Sequence, residues 1–461
     1  MLNDKSSNGF NLTFGLTALA IFILSRLVHF YFQGQAGFGY DLGLYLAQAR
    51  QIIDHSGDFL TAIIADAGGL ELTMANFKFL ANLGVPINVI IYLFHFIINL
   101  AIILTLWISV RTEYGKRAGL IALALATVSL TQFEMYWQYL FRTELAILMM
   151  FAAFWLIKKK SWLAFIPILT MFFIHKSTPL IFLPVFLVIL IVEKNKKWLW
   201  LFVGTAVISL LIIWQQKSWQ IGLEAIFHVF KNDDRAIREG NFLDLLAYLK
   251  LAWWYLIPAL IQFYRQLKNK NWNWPMILFG LSAILVFSHF IFYKRLIIYL
   301  DLSALILAGV FIDKFLERYC PKIKKIILFF SLLILAIPVI TYAGRHWSLI
   351  SREEFSSIKQ IQNQTEPSAY IMTINSFYAP WLEGWSGRLV ISPGFLRDQW
   401  QKSDWQIFWE NKNLPKQKEL LAQYRKPLYL FIGREDNFYP SSICFKKITE
   451  KLFKYECERN N

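Results

Sequence analysis

The sequence predicts an α-helical polytopic membrane protein of about 11 spans, followed by a C-terminal extracytoplasmic α/β domain. Hydrophobic residues make up 56% of the 461 positions, and the mean hydropathy is +0.42. The apolar residues are gathered into runs long enough to cross a bilayer. Lipid offers no partners for backbone polar groups, so each run is expected to form a helix.

The apolar runs occupy the first three quarters of the chain. They lie at residues 12–32, 84–110, 118–131, 144–157, 162–175, 178–192, 198–214, 249–264, 274–291, 296–312 and 326–343. Basic residues cluster between them, at 111–117, 158–160, 194–197, 265–270 and 314–325. All of these basic loops fall on one side of the path, which the positive-inside rule assigns to the cytoplasm. The N-terminus is therefore predicted inside and the long polar connections outside.

The net charge of +16 would suggest a nucleic-acid partner in a soluble protein. Here the basic residues lie mostly in short loops, so membrane lipid headgroups are the predicted partners and no nucleic acid is expected. Two of the three cysteines, Cys444 and Cys457, fall in the last segment. A bridge between them and two free thiols are both compatible with the sequence.

Residues 344–461 differ in kind from the transmembrane segment 1–343. Ser351 to Glu354 form a capping box, and apolar residues follow at helical spacing. Strand-like apolar stretches come next, at 369–373, 389–391 and 428–433. Alternating helix and strand predict a small α/β domain, which the topology places outside the cell.

Asp41 lies where the first span leaves the membrane, at the start of an amphipathic stretch. Leu42, Tyr45, Leu46 and Ala49 recur at three- and four-residue spacing, which predicts a helix lying on the bilayer surface. A carboxylate at the N-terminal end of a helix interacts favourably with the helix dipole. From spacing alone, Asp41 is either a helix cap or an acid–base group.

The same region carries a family resemblance. Arg26-Leu27 near the end of the first span, Asp41 in the outer loop, then Tyr45 and Ala47 resemble the first-loop motif of GT-C membrane glycosyltransferases. The pattern is most similar to the bacterial relatives of protein mannosyltransferases and lipid A aminoarabinose transferases. In that family the first-loop acid is catalytic. The resemblance therefore implies that Asp41 deprotonates or orients the acceptor.

The resemblance also implies the donor. It implies an inverting glycosyltransferase of hexosyltransferase type that takes a polyprenyl-phosphate sugar. The long outward connections predict that it works at the outer face of the cytoplasmic membrane, because function is expected where loops are elaborate. The acceptor would be a lipid, a glycan or a protein. Leu42 follows Asp41 where the family often has a second acid, so no metal ligands are assigned there. A divalent metal is compatible with the sequence but not required by it, and no cofactor is identified.

Basic residues at the outer ends of spans are candidates for binding the donor phosphate. A departing lipid phosphate needs fixed positive charge. Lys176 and Arg295 are the leading candidates, followed by Arg142, with His175 beside Lys176. The alternative for each is a long cation that extends to the lipid headgroups.

Four residues are candidates for binding the acceptor or its sugar. Tyr45 belongs to the first-loop motif, and Glu134 could supply a second carboxylate. Trp381 and Trp385, in the aromatic segment 375–388, either stack on sugar rings or dock the domain onto the bilayer or the membrane bundle. The docking interpretation is favoured, since aromatic residues are common at interfaces.

Two other classes of protein fit the composition. An O-antigen polymerase or ligase would depend on outer-loop arginine and histidine rather than on an acid after the first span. A lipid-linked sugar flippase or transporter would have inverted repeats, helices broken by glycine or proline, and charge near the bilayer midplane. A protein that only binds glycolipid is a third alternative. The sequence places its charges mostly at the outer ends of spans, which favours the transferase.

Overall fold

The computed structural model describes residues 4–33, 39–54, 82–175, 177–194, 196–215, 242–289, 292–345, 349–393, 395–396, 399–410, 414–424, 427–434 and 444–456. The chain divides into two compact units. The helical unit comprises residues 1–32, 56–85 and 89–346, and the sheet unit comprises residues 33–55, 86–88 and 347–461.

The described helices follow the apolar runs of the sequence. In chain order they are α1 (Asp4–Gln33), α2 (Leu42–Asp54), α3 (Ile87–Tyr114), α4 (Lys116–Thr127), α5 (Leu130–Trp137), α6 (Phe141–Lys158), α7 (Phe165–Ile174), α8 (Ser177–Glu193), α9 (Lys196–Gln215), α10 (Leu245–Lys268), α11 (Trp274–Phe287), α12 (Tyr293–Leu316), α13 (Pro321–Arg345), α14 (Arg352–Gln364), α15 (Ala379–Trp385), α16 (Lys402–Glu410) and α17 (Leu414–Ala422). Every run predicted to span the membrane overlaps at least one of these helices.

Within the described part of the chain, some of the predicted spans correspond to helices that are long and apolar enough to cross a membrane. Among the described residues, five helical segments have sufficient length and hydropathy: Asn11–Val28, Ile87–Tyr114, Leu245–Lys268, Tyr293–Leu316 and Lys322–Arg345. The pair α4 and α5 is a sixth if the two helices, bent by 57° at their junction, count as one span. Other apolar helical stretches are shorter, at 10–17 residues. The five long segments make this a multi-pass membrane protein. The count of about 11 spans stays a prediction.

Ion pairs join the predicted cytoplasmic loops. The Nζ atom of Lys158 lies 3.1 Å from a carboxylate oxygen of Glu113. Nε of Arg117 lies 3.3 Å from a carboxylate oxygen of Asp313. Basic loops that are distant in sequence therefore meet at the same end of the helical unit. This is the arrangement that the alternating path through the membrane requires.

The sheet unit contains a mixed six-stranded sheet of order β3-β2-β1-β4-β6-β5. The strands are β1 (Tyr370–Thr373), β2 (Leu389–Ser392), β3 (Phe395–Leu396), β4 (Leu428–Phe431), β5 (Phe445–Lys447) and β6 (Leu452–Tyr455). Strand β1 pairs in parallel with β2 and β4, and the outer strands pair antiparallel. The three strands expected from the sequence are β1, β2 and β4.

Helix α14 begins as its sequence predicts. The Ser351 hydroxyl accepts a hydrogen bond from the Glu354 backbone N–H, and the Glu354 carboxylate accepts one from the Ser351 N–H. A core of buried apolar and aromatic side chains packs on the sheet, including Met372, Ile391 and Leu430. Cys444 is disulfide-bonded, and Cys320 is a free thiol. Cys457 lies outside the described residues.

Helix α2 packs within the sheet unit. A Cβ atom added at Gly384 would lie 2.4 Å from the Cα atom of Gly43, so α2 and α15 pack backbone against backbone. Farther along α2, Nη1 of Arg50 donates a hydrogen bond of 2.6 Å to the Gly384 carbonyl. The sequence assigned residues 344–461 alone to this domain. The glycine contact brings residues 33–55 into the sheet unit as well.

Candidate active site

Asp41 begins helix α2. Its backbone carbonyl accepts hydrogen bonds from the N–H groups of Leu44 and Tyr45, at 3.1 and 3.3 Å. The residue is partly exposed. The carboxylate therefore stands at the N-terminal end of a helix, where the helix dipole favours the ionised form. Capping by the backbone and chemistry by the carboxylate are compatible in this position.

Tyr40 anchors the segment that carries Asp41. Its hydroxyl donates a hydrogen bond of 3.3 Å to the Ser376 carbonyl. Its ring meets Trp381 edge to face, with centroids 5.5 Å apart. Burial, and then the negative charge of Asp41, raise the pKa of Tyr40 to about 12. The phenol therefore stays protonated at neutral pH and remains a hydrogen-bond donor.

The aromatic segment of the tail is buried where it meets α2. Exposed fractions are 1% for Trp381, 9% for Trp385 and 7% for Tyr45. The Trp385 ring meets Phe355 edge to face at 5.1 Å. These rings pack inside the sheet unit and offer no open face for a sugar. Their burial gives no support to a stacking platform, and docking onto the bilayer or the membrane bundle stays a prediction. Within the sheet unit, the ring of Trp381 contacts Tyr40, the residue before Asp41.

A buried carboxylate fixes the other side of the same segment. Glu354 accepts hydrogen bonds from the Tyr378 hydroxyl at 2.6 Å and from Nε and Nη2 of Arg434, both at 2.9 Å. Burial alone would raise the pKa of Glu354. The bonds from Arg434, Tyr378 and the Ser351 N–H outweigh burial and hold this pKa below its ordinary value.

This carboxylate gives a testable pH dependence. A depressed pKa in the folded state means that ionised Glu354 stabilises the fold above the pKa of the unfolded chain. That contribution is lost as pH falls through the folded-state pKa. We expect Glu354→Gln to reduce stability at pH 7 by about 1–3 kcal/mol and to flatten the acid-side loss below about pH 4.5. Thermal unfolding from pH 3 to 8 measures both effects.

The neighbouring acid is the matched control. Glu353 precedes Glu354 in the first turn of α14 and is exposed. Glu353→Gln should follow the wild-type curve at every pH. Superimposable curves for Glu354→Gln and the wild type would contradict the role assigned to Glu354.

In the helical unit, His175 joins three helices through hydrogen bonds. Its Nδ1 accepts the backbone N–H of Thr178 at 3.3 Å. This pattern assigns the ring proton to Nε2, which lies 3.2 Å from the Thr143 hydroxyl of α6. The Thr178 hydroxyl lies 2.6 Å from the Tyr299 hydroxyl of α12. Both ring nitrogens of His175 are thus used in ordering this end of the helical unit.

Two predicted phosphate-binding arginines lie on the helices that this network joins. Arg142 directly precedes Thr143, and Arg295 lies one helical turn before Tyr299. Both arginines are partly buried. The structure therefore places Arg142, His175 and Arg295 at the same end of the helical unit.

Arg295 and the lysine beside it differ in their surroundings. Lys294 pairs with Asp244, with Nζ 2.8 Å from the carboxylate oxygen. The Nε of Arg295 is buried and has no hydrogen-bond partner among the described residues. A buried guanidinium donor of this kind fits an incoming anion. Lys176, the other leading candidate, lies outside the described residues.

Glu134 of α5 and Glu144 of α6 are both buried. Glu134 accepts a hydrogen bond from the Tyr342 hydroxyl of α13. Glu144 lies 2.8 Å from Nδ2 of Asn99 and 2.7 Å from Nε2 of His95. These two contacts of Glu144 therefore lie on α3, a different helix from the one that carries Arg142.

No group of three or more His, Cys, Asp or Glu side chains in the described part of the chain could hold a metal ion. Two polar residues there were missed by the sequence analysis, His95 and Asp301. Both are fully buried within apolar helices. The signal that could have found them is the isolation of each ionisable residue in an apolar run.

No protein-family model matches the chain, and no curated protein matches it. Solved structures do. The Archaeoglobus fulgidus oligosaccharyltransferase in complex with zinc and sulfate is 11% identical, with a TM-score of 0.61 over 90% of this chain and 67% of its own. ArnT from Cupriavidus metallidurans bound to undecaprenyl phosphate is 12% identical, with a TM-score of 0.55 over 97% of this chain and 98% of its own.

The chain has the GT-C fold. A third match, the mycobacterial arabinofuranosyltransferase AftD, is 14% identical with a TM-score of 0.53, and this chain spans 35% of it. All three proteins are GT-C membrane glycosyltransferases. The GT-C resemblance of the first-loop motif is therefore confirmed at the level of the fold. The match to ArnT extends over nearly the whole of both chains.

Proposed function

We propose that this protein is a membrane glycosyltransferase that moves a sugar from a polyprenyl-phosphate donor to an extracytoplasmic acceptor. The observation that carries the proposal is the GT-C fold, shared with ArnT over 97% of the chain. Two of the matching structures contain a polyprenyl phosphate, undecaprenyl phosphate in ArnT and dolichol phosphate in the oligosaccharyltransferase. These ligands support the same class of lipid donor for this chain.

Asp41 is the proposed general base. Its carboxylate would accept the proton of the acceptor hydroxyl while that oxygen attacks the anomeric carbon of the donor sugar. The bond between the anomeric carbon and the phosphate oxygen breaks, and the polyprenyl phosphate leaves as an anion. Attack from the face opposite the phosphate inverts the anomeric carbon. The partial exposure of Asp41 and its place at a helix N-terminus support this role.

Lys176, Arg295 and Arg142 are proposed to bind the donor phosphate. Phosphate leaves more readily when fixed cations neutralise its developing charge. The buried donor of Arg295 supports its assignment, and Arg142 lies at the same end of the helical unit. His175 would act by ordering the helices that carry these residues, since both its ring nitrogens lie within the network of Thr143 and Thr178. Glu134 stays a candidate for the acceptor side.

The compartment follows from the topology and the tail. Disulfides persist in oxidising surroundings and are rare in the cytosol. The disulfide-bonded Cys444 in the sheet unit supports an extracytoplasmic tail. The free thiol Cys320 lies between α12 and α13, in a loop predicted to face the cytoplasm. Both observations agree with transfer at the outer face of a bacterial-type cytoplasmic membrane.

A direct test is a transfer assay with purified protein in detergent or nanodiscs. The donors are synthetic undecaprenyl-phosphate sugars, and the readout is undecaprenyl phosphate released in the presence of an envelope extract from a strain lacking the protein. We expect release that depends on both enzyme and extract. If folded protein released undecaprenyl phosphate from none of these donors, the donor assignment would be overturned.

The phosphate site gives its own prediction. We expect Arg295→Ala to raise the donor KM about 10- to 100-fold, because charge-assisted hydrogen bonds contribute about 1.5–3 kcal/mol. Lys176→Ala should act in the same direction. The control is Lys294→Ala, which removes an outer cation already paired with Asp244 and should leave the donor KM within about twofold. An unchanged donor KM in both Arg295→Ala and Lys176→Ala would remove the phosphate assignment.

A further inference from the structure

The apolar helices α4 and α5 are separated by a sharp break. Helix α4 ends at Thr127, α5 begins at Leu130, and the two axes differ by 57°. A break of this kind leaves backbone carbonyls at the end of one helix and N–H groups at the start of the next. Lipid cannot satisfy these groups, so the protein must. Residues 127–129 are therefore a place where buried partners are required.

The carbonyl side of the break meets a buried cation. Nη1 of Arg26 donates to the Thr127 carbonyl at 3.4 Å and to the Ser25 hydroxyl at 2.9 Å. The Arg26 guanidinium is buried and lies 4.5 Å from the Phe22 ring centroid. A cation at the C-terminal end of a helix is favoured by the helix dipole. Arg26 thus stabilises the end of α4.

The amino side of the break meets a buried anion. The Ser129 hydroxyl caps α5 by accepting the Gln132 N–H at 3.2 Å, and it donates to Asp301 at 3.2 Å. The Gln132 side chain donates to the same Asp301 oxygen at 2.6 Å, and the Tyr255 hydroxyl donates to the other oxygen. Each of these partners can donate a hydrogen bond, which is the set that an ionised carboxylate accepts. The anion lies at the end of α5 that the dipole favours.

We propose that Arg26 and Asp301 form a charge clamp that holds α4 and α5 at the break and thereby positions the outer segment 130–144 for substrate. The two charges have opposite signs, and each matches the helix end that it meets. Helix α5 carries Glu134, and the segment continues to Arg142 at the start of α6. Tyr136 adds a direct link, since its hydroxyl donates to the Arg26 carbonyl at 3.2 Å.

The clamp acts through other groups, so Arg26 and Asp301 are positioning residues. Its effect on turnover rests on the proposed transferase function, but its effect on geometry does not. Buried hydrogen bonds between membrane helices also serve simply to hold helices together. The clamp differs because three of its bonds reach Thr127 and Ser129, at the break itself, and Gln132, in the first turn of α5. Losing it should move segment 130–144 and leave the rest of the bundle in place.

The geometric test is a distance measurement by pulsed electron paramagnetic resonance. Spin labels are placed at Gln138, just after α5, and at Leu246, an exposed residue of α10, in a Cys320→Ser background. We expect one narrow distance for the otherwise wild-type protein and a shifted or broadened distribution for Asp301→Asn. Ser303→Ala is the matched control, because Ser303 is a buried residue of α12 whose hydroxyl donates to the Tyr299 and Leu300 carbonyls of its own helix.

The kinetic test separates positioning from simple stability. Asp301→Asn should raise the KM for donor and acceptor at least about tenfold, since small misplacements of binding groups are costly, whereas Ser303→Ala should not. If Asp301→Asn fails to fold, Arg26→Gln and Arg26→Lys replace it. The distance should be disturbed in Arg26→Gln and restored in Arg26→Lys, which keeps the cation.

An unchanged distance distribution in both Asp301→Asn and Arg26→Gln would overturn the clamp, whatever the activity. A disturbed distribution in Asp301→Asn or Arg26→Gln, together with no sugar transfer by the otherwise wild-type protein, would support the clamp and refute the transferase assignment. The two proposals can therefore fail separately.

Discussion

Asp41→Asn is expected to lower kcat for sugar transfer by about 10²- to 10⁴-fold, the usual contribution of a positioned general base. Asparagine has nearly the shape of aspartate and is an equally good N-cap. Helix α2 should therefore still begin at Leu42. The substituted side chain cannot accept a proton, so the loss should fall on turnover and leave the donor KM close to the wild-type value.

The measurement is initial-rate kinetics with purified protein, with unfolding curves to show that the variant is intact. Asp244→Asn is the control, because Asp244 is an exposed carboxylate in the helical unit that pairs only with Lys294 in the described structure. It should retain most activity. Turnover of Asp41→Asn within about twofold of wild type would end the assignment of Asp41 as the base and would favour an enzyme that depends on outer-loop cations.

Gly43→Ala is expected to have the second large effect, on the fold of the sheet unit. A Cβ atom at position 43 would lie 1.8 Å from the Pro380 carbonyl oxygen. The obstructing atoms belong to the backbone of α15, so no rotamer change relieves the overlap. We expect the free energy of unfolding of the sheet unit to fall by more than about 4 kcal/mol, because α2 must separate from α15 to relieve the overlap. Tyr40 and Asp41 would then lose their anchor, and transfer would be lost with them.

Limited proteolysis checks this result, with new cleavage expected in residues 33–55. Gly204→Ala is the matched control, because a Cβ atom there would meet nothing within 4 Å. Gly204 lies inside α9, so this substitution should stabilise its helix by about 0.5–1 kcal/mol. The same chemical change thus has opposite signs at the two glycines. A wild-type cleavage pattern for Gly43→Ala would contradict the close packing of α2 on α15.

Much of the fold was predictable because its signals are local. Apolar runs located the membrane helices, the Ser351 capping box located the start of α14, and short apolar stretches located β1, β2 and β4. The position of Asp41 at the start of a helix was likewise visible in the spacing of its neighbours. Each of these features depends on residues within one or two turns of each other.

The contacts that build the candidate site were not predictable, since they join residues far apart in sequence. Arg142 and Glu144 are two positions apart on α6, and side chains at that spacing do not face each other on a helix. Glu144 instead meets His95, on a different helix. The break after Thr127 lies inside a continuous apolar run, so hydropathy gave no sign of it. Asp301 likewise has its partners on other helices.

The contact between Tyr40 and the C-terminal tail can form only late in biosynthesis. Tyr40 and Ser376 are separated by 336 positions along the chain. The loop bearing Asp41 leaves the ribosome long before the tail that it rests against, and closing so distant a contact is slow. Membrane insertion of the helices is therefore expected to precede folding of the loop that carries Asp41. A nascent chain halted before Ser376 would have its helices in the bilayer but would lack the residue that holds Tyr40, next to the proposed base.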